Sequence, residues 1–162
     1  MKNDEKFCVE PTPILFDRLS ARETVTSLAC SSRHVLALTN MGTVYSCGDG
    51  SHGQLGHGNR EYCRYLRLIS KFAGGKNIIT AISAGSNGIS SHSAAIDANH
   101  HLFTWGSPVI SGHVIDRHEE CAVPKKLETL EVSIKSVILM IIVKVYALST
   151  HMRFHFEKQL GI

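Results

Sequence analysis

The chain repeats itself. His34, Tyr45 and Gly48 recur 58 residues later as His92, Phe103 and Gly106, while Val25 and Leu28 recur 54 residues later as Ile79 and Ile82. A period of that size marks stacked supersecondary units, each of which buries its apolar face only against a neighbour. The two offsets differ by four residues, which places an insertion between Gly85 and His92.

Each copy has the same physical grammar. An apolar strand leads to a polar turn carrying Asn, Asp or Gly, and a second strand ends in an aromatic residue or Cys followed by Gly. This is the pattern of a β-hairpin. Val35–Leu38 is expected to pair with Thr43–Ser46 across a turn at Thr39–Gly42, and Asp97–His100 is expected to form the equivalent turn of the second copy. A third copy starts at Ile134-Lys135-Ser136-Val137 and degenerates, with Met140 and Lys144 where the pattern wants Gly and His. Ahead of the first copy, Pro13-Ile14-Leu15-Phe16 mirrors Pro124-Lys125-Lys126-Leu127, so the chain enters on the outer strand of an earlier unit.

Composition agrees with a folded protein. Of the 162 residues, 43% are hydrophobic and 19% charged, which excludes wholesale disorder. A formal charge of +3 is too small for a dedicated nucleic-acid binder. The five cysteines (Cys8, Cys30, Cys47, Cys63 and Cys121) are odd in number and contain no Cys-x-x-Cys pair, so free thiols in a reducing compartment are expected. The charged start Met1–Lys6 is no secretory signal, which points to an intracellular protein, cytoplasmic or nuclear. The apolar run Val132–Leu148 is interrupted by Lys135 and Lys144 and reads as a buried strand pair rather than a membrane span.

The first hairpin is followed by Gly48-Asp49-Gly50-Ser51-His52-Gly53-Gln54-Leu55-Gly56-His57-Gly58, and here the chain resembles the regulator of chromosome condensation repeat family. The resemblance covers about residues 11–130 and is weak over 131–162. It implies an all-β fold, an incomplete β-propeller of antiparallel blades with about three blades present. The expected division is a lead over 1–24 holding the end strand of a preceding blade, a first repeat over 25–78 and a second over 79–133, then a degenerate third repeat or aberrant hydrophobic tail over 134–162. The Gly-Gln-Leu-Gly segment is expected to be architectural, with Leu55 plugging the gap between blades and Gln54 satisfying backbone groups. A phosphate-cradling loop would need a Gly-Lys-Ser/Thr ending that is absent.

The resemblance implies a protein-interaction module, with a role in a guanine-nucleotide exchange factor for a small GTPase as one branch. Alternatives are a repeat fragment of a larger ubiquitin-ligase-type protein and a chromatin-associated binding module. No segment matches an exchange-factor wedge, so no exchange residue is assigned. Closed propellers need about 4–8 blades, so the chain alone is expected to be a truncated product with little exchange activity and open blade edges that invite self-association.

Catalytic and metal readings fare poorly. Cys47, His52, His57 and Cys63 lie in one loop, but their spacing matches no common zinc pattern, and no Gly-x-Ser-x-Gly elbow is present. His34 and His92 sit at equivalent repeat positions, which favours a satisfied structural hydrogen bond over catalysis. The chain is therefore expected to be no enzyme, with no cofactor, no small-molecule substrate and no metal site. One local charge feature stands out: Arg60, Arg64, Arg67 and Lys71 against the single acid Glu61, interleaved with Tyr62, Tyr65 and Phe72. Their spacing is helical whereas the repeat register demands a strand, and the segment reads either as a solvated connection between blades or as a patch for an acidic partner or phosphates, with these four cations as the candidate partner-binding residues.

Overall fold

The computed structural model describes residues 11–86, 90–107 and 121–127. The expected third repeat over 134–162 and the apolar run at 132–148 lie outside the described residues. Within them stand two four-stranded antiparallel sheets, in the orders β1-β2-β3-β4 and β5-β6-β7-β8. The first holds β1 (Val25–Cys30), β2 (His34–Thr39), β3 (Val44–Gly48) and β4 (Cys63–Leu68). The second holds β5 (Ile79–Ser86), β6 (Ser91–Asp97), β7 (Leu102–Gly106) and the short β8 (Lys125–Lys126). Each sheet is one meander, the form of a propeller blade.

The hairpins follow from local chemistry. Leu38 pairs with Val44 and Ala37 with Tyr45, one register step beyond the turn Thr39–Gly42. Gly42 closes that turn in the left-handed region at φ 73°, donating its N–H to the Thr39 carbonyl at 3.0 Å. The second blade builds the same turn with His100 in the glycine position, at φ 64°, which costs a residue with a Cβ about 1 kcal/mol or more. Asp97 compensates: it is buried, and its carboxylate accepts the N–H groups of Asn99 and His101 and the ring of His101. Burial alone would raise the Asp97 carboxyl, but these bonds hold it below the usual carboxylate range.

The two blades pack face to face. Leu36, Leu38, Val44, Ile69 and Phe72 of the first meet Ile79, Ala84, Ala95, Phe103 and Trp105 of the second in one apolar layer. Phe72, in a single 3-10 turn at Ser70–Phe72, stands edge-on to Phe103 with ring centroids 5.5 Å apart and 5.7 Å from the Trp105 ring. Burying each of these aromatics contributes about 2–3 kcal/mol, and their edge contacts about 1 kcal/mol more.

The opposite face of the first blade carries Ala37, Tyr45, Cys47 and Leu66, against which Phe16 packs from the lead segment. Phe16 makes a single parallel bridge to Leu66, whose outward N–H and carbonyl bond to Leu15 and Asp17. Glu23 fastens the same segment. Its carboxylate accepts from the hydroxyls of Thr39, Thr43 and Tyr45 and from the Ser20 N–H, and these bonds outweigh burial to hold its pKa low. Burial and the Glu23 charge push the Tyr45 phenol up to about 12.

Candidate interaction surface

Between the blades runs a buried polar spine built on the Gly-Gln-Leu-Gly turn. Gln54 and Leu55 are fully buried. The Gln54 carbonyl accepts the Trp105 indole N–H and the Ser93 hydroxyl, both at 2.8 Å. Its side-chain oxygen accepts the His52 N–H at 2.8 Å, while its amide nitrogen has no hydrogen-bond partner among the described residues. The Leu55 carbonyl accepts the Ser46 hydroxyl at 2.7 Å. Gly53 makes the approach possible: at φ 76° it lies so close to the second blade that a Cβ would stand 2.7 Å from the Ala122 Cα.

His34 ties this spine to the first blade. Its Nε2 lies 2.9 Å from the Ser93 hydroxyl oxygen and its Nδ1 2.8 Å from that of Ser31. Because Ser93 donates its proton to Gln54, it accepts from His34, which fixes the Nε2–H tautomer and leaves Nδ1 to accept from Ser31. Burial first, then the neighbouring His92, lowers the His34 pKa to about 4. His34 thus acts as a neutral structural bridge.

The loop residues weighed for metal or catalysis are engaged elsewhere. His57 lies 3.0 Å from the Ser46 hydroxyl, and burial together with the Arg67 charge lowers its pKa to about 4. Cys63 donates its thiol to the Tyr65 carbonyl, and His52 pairs with Ser51. Among the described residues no group of three or more potential ligands could hold a metal ion.

The four candidate cations are all exposed but are not one face of a helix. Arg64 and Arg67 lie on β4, because the β3 edge offers a ladder that a helix would leave unpaired: Tyr45 pairs with Leu68 and Ser46 with Arg67. The helical spacing is coincidental. A bulge between the Ser46–Arg67 and Gly48–Cys63 pairings puts three residues of β4 (Arg64, Tyr65 and Leu66) against one of β3 (Cys47), which breaks the strand alternation and leaves both Arg64 and Tyr65 exposed. There β4 and the preceding loop enclose a pocket of about 420 Å³ lined by His57, Asn59, Glu61, Tyr62, Arg64 and Arg67, with Cys63 and Tyr65. Arg60 and Lys71 lie outside it. Sequence reasoning missed the pocket and the Gln54–Trp105 link. The first depends on the bulge, and the second joins residues 51 apart.

Family models place these features. The regulator of chromosome condensation (RCC1) repeat matches residues 41–96, and a second model of the same repeat matches 25–54. The chain carries regulator of chromosome condensation repeats. It is 35% identical over 96 residues to the human E3 ubiquitin-protein ligase HERC2, covering 59% of this chain and 2% of that protein. To protein pim1 of Schizosaccharomyces pombe it is 32% identical over 141 residues, covering 83% of this chain and 24% of that one. The fold matches Prp20p from Saccharomyces cerevisiae, a protein whose binding to Gsp1p and histones has been studied, with a TM-score of 0.54 at 20% identity over 69% of this chain and 27% of that chain. The chain thus spans from 2% to 27% of these relatives, and its two sheets have the form of blades of an incomplete β-propeller. Similar sequence occurs both in a ubiquitin-protein ligase and in the human X-linked retinitis pigmentosa GTPase regulator, to which the chain is 39% identical over 84 residues.

Proposed function

We propose that the chain works as a non-catalytic protein-interaction module inside the cell, and that its protein partner is engaged at the rim formed by β4 and the loop before it. One contrast supports this reading. The polar groups between the blades hold the blades together, whereas Arg64 and Arg67 on the rim have no ion-pair partner among the described residues. Unpaired guanidiniums beside exposed tyrosines are the composition of a recognition surface. The second reading, a part of an exchange factor acting on a small GTPase, rests on the likeness to Prp20p.

Photo-crosslinkers placed at Tyr62 and at Asn40, followed by capture from cell extract and competition with unlabelled chain, separate these readings. Saturable protein adducts at Tyr62 and none at Asn40 are expected, with no acceleration of nucleotide release from small GTPases loaded with a fluorescent GDP analogue. No competable adduct at Tyr62 would overturn the rim reading, and a tenfold faster release would establish the exchange reading in its place.

A further inference from the structure

The rim has a chemical preference. From its geometry we infer that the pocket between β4 and the loop at 57–62 receives a carboxylate side chain from an extended acidic segment of a partner protein. This rests on the rim reading of the function and names its ligand.

Charge decides the class of anion. Arg64 and Arg67 line the pocket, and neither forms a salt bridge or hydrogen bond among the described residues. A guanidinium presents a planar fork that matches a carboxylate or phosphate through paired N–H donors. Glu61 lines the same pocket, its side chain held by the Asn59 amide at 3.2 Å. The third nitrogenous group, His57, is tied to Ser46 and adds no positive charge near neutrality. Two guanidiniums against one carboxylate leave a single net positive charge, which suits a monoanion. A phosphate monoester carries close to two negative charges near neutrality and would leave the site with a net negative charge beside Glu61. Among the described residues the pocket also has no lysine and no helix N-terminus to cradle a dianion.

The remaining walls describe the rest of the ligand. Tyr62 is 71% exposed and Tyr65 43%, and neither hydroxyl has a hydrogen-bond partner among the described residues. Two rings lying open beside two guanidiniums offer an apolar surface flanked by a charge clamp. An extended strand answers both, since its residues at i and i+2 share one face and can present a carboxylate and an apolar side chain to the pocket together. At about 420 Å³ the pocket is large enough for one acidic side chain and its neighbour, not for a folded element.

The test uses the full chain and three labelled eight-residue peptides, one a twofold Glu-Ser-Leu-Ser repeat that puts Glu and Leu on one face of a strand, one with Gln for every Glu, and one with a single phosphotyrosine in place of one Gln of the second. Fluorescence anisotropy should show the Glu peptide binding at least tenfold more tightly than the Gln peptide and more tightly than the phosphotyrosine peptide. The double variant Arg64→Gln and Arg67→Gln should lose that preference while keeping the thermal midpoint of the parent, both side chains being exposed. Glu61→Gln should raise the affinity for the phosphotyrosine peptide relative to the Glu peptide. Tighter binding of phosphotyrosine by the parent would overturn the inference in favour of a phosphate site. Equal binding of the Glu and Gln peptides, or a preference that survives the double variant, would overturn it outright. If the Tyr62 crosslinks persist in either case, the rim still binds protein and only the carboxylate assignment is lost.

Discussion

Gly53 and Gly74 allow the contact between blades to be isolated. Both adopt left-handed backbone, at φ 76° and 73°, so an added Cβ brings nearly the same intrinsic strain of about 1–2 kcal/mol. Their surroundings differ. A Cβ at Gly74 meets nothing within 4 Å, whereas at Gly53 it would stand 2.7 Å from the Ala122 Cα and 3.0 Å from its Cβ. Backbone cannot swing aside as a flexible side chain does, so Gly53→Ala must push the turn away from the second blade. Overpacking of that kind costs about 1–3 kcal/mol beyond the strain. The displacement would also stretch the 2.8 Å bonds from Trp105 and Ser93 to the neighbouring Gln54 carbonyl. The total for Gly53→Ala is then about 2–5 kcal/mol against about 1–2 kcal/mol for Gly74→Ala. Urea unfolding followed by the fluorescence of the single tryptophan, Trp105, reads this interface directly. With a denaturant slope of about 2 kcal/mol per molar, the midpoint of Gly53→Ala should lie about 1 M below that of Gly74→Ala. Equal midpoints would refute the claim that the Gly-Gln-Leu-Gly turn is wedged against the second blade.

Two further outcomes follow from the same packing. His34 has a pKa near 4 in the folded state against an ordinary 6.5, so its contribution is present above pH 6.5 and is lost as the pH falls toward 4. Unfolding free energy should drop over that window by up to about 3 kcal/mol more than in His34→Gln, and parallel profiles for the two proteins would show that the ring is not buried as a neutral bridge. His100→Gly should stabilise the protein by about 0.5–1 kcal/mol by relieving the left-handed strain at φ 64°, measured as a higher urea midpoint, and a lower one would mean that the His100 side chain makes contacts worth more than the strain.

What the sequence determined by itself is the local grammar. The recurrence of His34 as His92 and Tyr45 as Phe103, with Asn, Asp or Gly at the turns, specifies two hairpins, because pleat alternation and turn chemistry act between residues a few positions apart. The architectural role of Gln54 and Leu55 was legible for the same reason, as both stand in a turn too glycine-rich to be a strand. The basic segment was the ambiguous case. The spacing of Arg60, Arg64, Arg67 and Lys71 is helical, and only the free edge of β3 made residues 63–68 a strand. Tertiary structure also decided which of those cations share a pocket, since the bulge that turns Arg64 outward arises from pairing across the sheet and leaves no periodic trace in the chain. The Gln54 carbonyl became the junction of the two blades only when Ser93 and Trp105, remote in sequence, were brought to it by face-to-face packing. A hydrogen bond between distant residues is a property of how the blades meet, and a local pattern carries no record of it.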